Sequence, residues 1–330
     1  MIYLSDNENT FIKHDFKEIF KNNELLCRYP CDNEYLLKQK LAQIHSVKEK
    51  NITLGCGSSD IIQRVIIALS HKANKIGKKL NLIVPMPTFD LVLSIAKALD
   101  VDIDYIYVDE SFKLDINKIK PKKDTINLLY ITNPNNPSAR ELSKEELDKL
   151  CSMCGGDFYM ILDEAYAEYS DDFTSIKKAH YDNVIITRTF SKIYALAGLR
   201  IGYAIAKSEF LNVVDKFITL DNINAYGLFC ALYVLDNDDL NVTKNLTKQN
   251  RLKIQKVFDE LEIDYIPSKV NFILHKIKDV RYRDFMLEQG VRVGRVINNF
   301  PLYNRITVGN NTETETFFKI LKKAKDLKLV

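Results

Sequence analysis

Apolar residues recur along this chain in two rhythms. Short, nearly unbroken runs such as "LNLIVPMP", "TINLLYITNP", "FYMILDEAY" and "NVIITRTFSK" end in polar or turn-forming residues, which is the pattern of strands buried on both faces. Elsewhere, "EELDKLCSMC" and "KNLTKQNRLKIQKVFDEL" set apolar residues at helical spacing. Strands that alternate with helices predict an α/β fold with a mostly parallel central sheet. After about residue 240 the rhythm changes to a long charged helix, then "IDYIPSKVNFILHKI", "GVRVGRVI" and "NRITVG" as strands, then a Lys-rich terminal helix. This predicts a smaller α+β domain. The expected division is a large domain over 28–238 and a small one built from 1–27 and 239–330.

In such sheets ligands gather beyond the carboxyl ends of the strands. Those ends carry Asn136, Asp163 and Lys192, so three separate stretches predict one site. A fourth, "ITLGCGSSDIIQRVIIAL", reads as a strand, a turn containing Gly55 and Gly57, and an amphipathic helix opened by Ser58 and Ser59. Free amides at such a helix start hold phosphate groups, although an ordinary capped turn has the same sequence. No Gly-Lys-Ser/Thr follows and the third glycine of a dinucleotide fingerprint is missing, which argues against those two ligand classes. Lys192 lies in "RTFSKIYALAGLRIGY" among small and aliphatic neighbours. That is an unusual setting for lysine, and one that favours the neutral, reactive amine.

Composition narrows the choice further. A length of 330 residues with 46% hydrophobic positions is that of an ordinary globular protein. Lysine plus arginine number 47 against 44 acidic residues, and a net charge of +3 gives no reason to expect nucleic acid or an anionic membrane. The start "MIYLSDNENTF" lacks a basic region followed by an apolar one, and no apolar run approaches the ~18 residues of a membrane span, so a cytoplasmic protein is expected. Six scattered cysteines predict reduced thiols. Cys151 and Cys154 form a C-x-x-C without the second pair or histidines of a zinc site, so no metal is expected.

Read in order with the glycine turn, "PMPTFD", "NPNNPSA", "DEAYAEY" and "TFSKIYALAGLRIGY" resemble the pyridoxal-phosphate-dependent aminotransferases of fold type I. The nearest likeness is to the histidinol-phosphate aminotransferase group and its relatives, the amino-acid-phosphate decarboxylases. It extends to "LSDNENTF", "RYP", "SKVNFIL" and "RITVG". The resemblance implies pyridoxal 5'-phosphate as cofactor, bonded covalently to Lys192, with Asp163 keeping its ring nitrogen protonated. Asn136 and Tyr166 would hydrogen-bond the phenolic oxygen, and Lys192, Asp163 and Tyr166 would be the catalytic groups. Gly57, Ser58, Ser59, Thr189, Ser191 and Arg200 would surround the phosphate, and Phe89 would lie on the ring face. Tyr29 would reach the phosphate of the neighbouring subunit's cofactor, which implies a homodimer.

Arg305 would bind a carboxylate or a substrate phosphate, with Arg295 and Asn7 beside it; Asn222 and Asn224 are further candidates. The family's "G-V-x-V-R" stands here as "GVRVGR", with Gly294 where a second anion-binding arginine is expected and Arg292 and Arg295 flanking it. The implied reaction moves an amino group between glutamate or 2-oxoglutarate and a small phosphorylated compound, histidinol phosphate or another amino-alcohol phosphate. The alternative is decarboxylation of serine or threonine phosphate. The two differ in which bond at the α-carbon stands perpendicular to the cofactor ring, a geometry set by the anion-binding arginines.

Overall fold

The structure, a computed structural model, describes residues 1–330 with the exception of the Leu26 side chain. Its strands are β1 (Ile2–Tyr3), β2 (Ile52–Cys56), β3 (Lys79–Met86), β4 (Asp102–Tyr107), β5 (Thr125–Thr132), β6 (Phe158–Asp163), β7 (Val184–Thr189), β8 (Ile201–Ala206), β9 (Tyr265–Ile266), β10 (Phe272–Lys276), β11 (Val291–Arg292) and β12 (Tyr303–Thr307). The central sheet has seven strands in the order β2-β8-β7-β6-β5-β3-β4. β8 runs antiparallel to both of its neighbours, and the remaining pairings are parallel.

Successive side chains of a strand point to opposite faces of the sheet, and here both faces are covered. Leu129, Ile131, Leu162 and Ile186 share one core with Leu37 and Leu41 of the helix Cys31–His45 and Leu228 of the helix Ala225–Asn237. Leu128, Tyr130, Ile161 and Ile185 share the other with Ile61, Val65 and Leu69 of the helix Ser58–Lys75. A strand buried on both sides has no solvent face to mark with polar residues, which explains the unbroken apolar runs. Cys151 is buried at the end of the helix Lys144–Met153, and that burial pushes its thiol up to about 12. No helix among the described residues is long and apolar enough to cross a membrane.

The smaller core gathers Phe258, Ile273, Ile306 and Phe317 around the antiparallel sheet β12-β10-β9, and it takes in Leu4 from the start of the chain. Leu4 arrives there because β1 pairs in parallel with β11, Ile2 opposite Val291. Within 1–27, Leu4 packs in this core and Phe16 in the large one. The strand expected over "GVRVGRVI" is shorter than its apolar pattern, since only Val291–Arg292 are extended and paired. Beyond them the Gly294 amide donates to the Arg305 carbonyl at 2.9 Å, and the Asn304 side chain donates to the Gly294 carbonyl at 2.8 Å. A side-chain amide thus takes the place of the next ladder bond.

Ile161 is fully enclosed in the central strand β6. Ile161→Val should lower stability by about 1 kcal/mol and Ile161→Ala by about 2–5 kcal/mol, because the cavity grows with the atoms removed. Urea unfolding with an unchanged slope reads this directly, and equal losses for the two variants would contradict the packing described.

Candidate active site

Register brings Thr132, Asp163 and Thr187 side by side at the ends of β5, β6 and β7. The Asp163 carboxylate is buried there. The Tyr130 hydroxyl donates to one of its oxygens at 2.9 Å and the Thr187 hydroxyl to the other at 3.0 Å. Burial pushes its carboxyl up to about 6, against the pull of the Tyr130 and Thr187 hydroxyls and the Ala165 amide, with Glu164 adding to the rise. Behind it, Arg188 donates to Glu164 at 3.0 and 2.6 Å and to Glu168 at 3.0 Å. Glu164 follows Asp163 and Arg188 precedes Thr189, so this buried ion cluster ties the ends of β6 and β7 together. Its field also reaches His45, which burial and then Arg188 push down to about 3.

Asp163 opens onto a cavity of about 610 Å³ that also meets Lys192, Tyr166, Asn136 and Phe89. Lys192 is half-buried rather than enclosed; its Nζ donates to the Asp6 carbonyl at 2.8 Å and stands 5.7 Å from the centre of the Tyr166 ring. The Tyr166 oxygen accepts from Asn7 at 3.0 Å and from Asn136 at 3.4 Å. With both lone pairs engaged, its own proton is free to be donated. Arg305 donates to the Asn136 carbonyl oxygen at 2.5 Å and to the Ser5 main-chain oxygen, while its Nε is buried without a hydrogen-bond partner among the described residues. Burial weakens the hold of this guanidinium on its proton, an effect partly offset by Tyr166 and Asp6 and reinforced by Arg295. A half-buried cation with an unused, buried Nε donor is suited to an incoming anion.

The helix Ser58–Lys75 begins at the same cavity, with Ser58 and Ser59 on the wall. Gly57 has φ +77°, and a Cβ on it would lie 2.5 Å from Arg200 Nη2. Only glycine both takes that turn and lets the guanidinium sit over the helix start. Arg200 donates to the Ser191 hydroxyl at 3.1 Å, and the Ser191 amide donates to Thr189 at 3.0 Å. Amides, hydroxyls and a fixed cation at one helix N-terminus make a phosphate cradle. A carboxylate, an amine and this cradle on the walls of one cavity fit pyridoxal phosphate: Asp163 would face the ring nitrogen, Lys192 the aldehyde, Arg200 and the serines the phosphate.

Several expected residues stand elsewhere. Asn7 is fully buried beneath Tyr166 and does not line the cavity, so it orients that tyrosine where substrate contact was expected. Tyr29 is 79% exposed and lies outside the cavity of its own chain. Asn224 caps the helix Ala225–Asn237 and Asn222 reaches Asp60, again outside the cavity. Arg295 lines the cavity but is paired with Asp90. In the other direction, Tyr130, Thr187, Asp6 and Arg283 take part although the sequence assigns them no such role, and Arg292, one of the two arginines flanking Gly294, also lines the cavity. Thr187 carries a legible signal, since two threonines at a spacing of two within an apolar strand mark one polar edge; Arg283 carries none.

Comparison with known proteins accords with this geometry. The family model "Aminotransferase class I and II" matches residues 2–321. A histidinol-phosphate aminotransferase of Haemophilus influenzae is 32% identical over 338 residues, covering 98% of this chain and 89% of the relative. The crystal structure of histidinol-phosphate aminotransferase from Sinorhizobium meliloti in complex with pyridoxal-5'-phosphate superposes with a TM-score of 0.89 at 20% identity, covering 99% of this chain and 91% of that one. L-threonine-O-3-phosphate decarboxylase from Porphyromonas gingivalis gives 0.81 at 22% identity, covering 99% and 100%. At these identities the two structural likenesses concern the fold. Matched span, sheet order and the motifs gathered around one cavity agree, and the chain belongs to the class I and II aminotransferases as a pyridoxal-phosphate-dependent aminotransferase.

Proposed function

We propose that this aminotransferase moves an amino group between glutamate or 2-oxoglutarate and a small phosphorylated compound, histidinol phosphate or another amino-alcohol phosphate, and that it works as a homodimer. The observation that carries this reading is one cavity lined by Asp163, Lys192 and two arginines with different partners, Arg200 at the helix start and Arg305 against Asn136 and Ser5. The likeness to curated histidinol-phosphate aminotransferases supports the choice of substrate. Tyr29, exposed and not part of the lining of its own cavity, supports a role across a subunit boundary.

Pyridoxal phosphate, when bound, supplies an aldehyde that condenses with amines and a pyridinium that withdraws electrons from the α-carbon. Asp163, ionised and shielded from water, would hold the proton on the pyridine nitrogen. The Tyr166 hydroxyl, its oxygen occupied by Asn7 and Asn136, would donate its proton toward the phenolic oxygen. Lys192 Nζ, held at the Asp6 carbonyl, would take the α-proton of the substrate and return it. Arg305 fixes the substrate's anionic group and so selects the bond at the α-carbon that breaks. Decarboxylation of serine or threonine phosphate uses the same groups, and release of carbon dioxide with no amino transfer from glutamate would select it.

Borohydride treatment of the loaded protein should fix the mass of the cofactor on Lys192, whereas Lys192→Ala should show no adduct and no turnover while still holding cofactor through the Arg200 cradle. Peptide mass mapping checks this, and an adduct on another lysine would move the assignment. Arg305→Ala should weaken glutamate binding on the order of 10-fold or more, as for a lost charge-assisted hydrogen bond; unchanged donor kinetics would remove Arg305 from the substrate.

Asp163→Asn should cut turnover on the order of 100-fold or more. The same change should stabilise the cofactor-free protein. The Asp163 carboxyl, raised from 3.8 to about 6, holds its proton more tightly folded than unfolded, so its contribution to stability falls as pH rises from about 4 through 6. Cofactor-free Asp163→Asn should therefore exceed wild type at pH 8 by up to about 3 kcal/mol, with the gap closing as pH drops from 6 to 4. Thermal unfolding across that range measures it, and a pH-independent difference would contradict a buried ionised carboxylate.

A further inference from the structure

Gly294 occupies the position where the family pattern expects a second anion-binding arginine. A Cβ there would lie 2.4 Å from the Arg305 main-chain oxygen, so no side chain fits. The cavity nevertheless gains cations from neighbouring positions: Arg283 on the helix Tyr282–Glu288, Arg292 at the end of β11, and Arg295. Arg295 is neutralised by Asp90. Arg292 lies with its guanidinium 5.2 Å from the centre of the Tyr3 ring, and among the described residues neither Arg292 nor Arg283 has an ion-pair partner. Of the carboxylates on this rim, Asp6 accepts from the Ser5 hydroxyl at 2.5 Å and Glu8 is exposed.

We propose that Arg283 and Arg292 form a second anion subsite, separate from Arg305 and from the Arg200 cradle, and that it takes the phosphate monoester of the amino substrate. The proposal rests on the aminotransferase reading above and names the group that its substrate must carry. Two unpaired guanidiniums match a phosphate, which carries nearly two negative charges and three acceptor oxygens, better than a carboxylate with one charge. With the phosphate held there, Arg305 remains available for the carboxylate of the amino donor. A chain whose position 294 is closed to a side chain thus carries the charge two residues earlier, at the end of β11, and on the preceding helix Tyr282–Glu288.

The test titrates the cofactor-loaded protein with O-phosphoethanolamine and with ethanolamine, following the visible band of the cofactor and, in parallel, the heat of binding. Wild type should bind the phosphorylated amine about 100-fold more tightly, the effect of two charge-assisted contacts. Arg283→Ala/Arg292→Ala should lose about 10–100-fold for O-phosphoethanolamine and less than about 2-fold for ethanolamine. Arg283→Lys/Arg292→Lys, which keeps the charge and packing but not the fork, should fall between and covers the case in which the alanine pair misfolds. Equal losses for both ligands, or none, would overturn the subsite while leaving the aminotransferase reading intact. A wild-type band that responds to no amine, glutamate included, would overturn both.

Discussion

A carboxylate kept away from water at the end of a central strand is the constraint around which the rest of this molecule is arranged. Asp163 can sit there because β5 and β7 flank β6 in register and each supplies a hydroxyl, Tyr130 and Thr187, to one carboxylate oxygen. Two neutral donors reduce the penalty of burial without neutralising the charge, and the carboxyl still stays near 6. A direct ion pair to arginine would have held it far lower and left it a poorer partner for a pyridine nitrogen. The arginine at this edge, Arg188, is turned to the other face of the sheet and spent on Glu164 and Glu168.

The second requirement is that distant parts of the chain meet at that carboxylate. Residues 5–7 do this with little secondary structure of their own. The Ser5 carbonyl receives Arg305, the Asp6 carbonyl receives Lys192, and the Asn7 carbonyl receives Asn271 at 3.0 Å. Pairing of β1 with β11 and insertion of Leu4 in the small core carry this segment to the site. A short strand at the start of the chain therefore joins the smaller core to Lys192, and Arg305 and Lys192 share one backbone scaffold.

Much of this was legible beforehand where chemistry and local pattern coincide. The strand-end positions of Asn136, Asp163 and Lys192 and the glycine turn before Ser58 follow from polar residues closing apolar runs, whereas the place of Arg200 at the cavity follows only from the family resemblance. An asparagine in a loop looks available for ligand, whereas Asn7 is buried and its side chain donates to Tyr166. The strand over 290–297 is shorter than its pattern predicts because Val291 and Val293 are apolar for the sake of the smaller core, while the Gly294 carbonyl is taken by the Asn304 side chain and not by a neighbouring strand. Arg283 had no signal at all, since a charged residue on a short helix ordinarily faces solvent.

The sequence by itself determined the alternation of strands and helices, the family and the residue types of the site, because periodicity and turn chemistry are local and are written in neighbouring positions. Only the tertiary structure decided which hydroxyls hold Asp163, which carbonyls hold Lys192 and Arg305, and why position 294 has no side chain. Those contacts join residues as far apart as 186 and 300 positions in the chain. They depend on register and on which face of an element is turned inward, and a string of residues carries that information only through the packing of the whole.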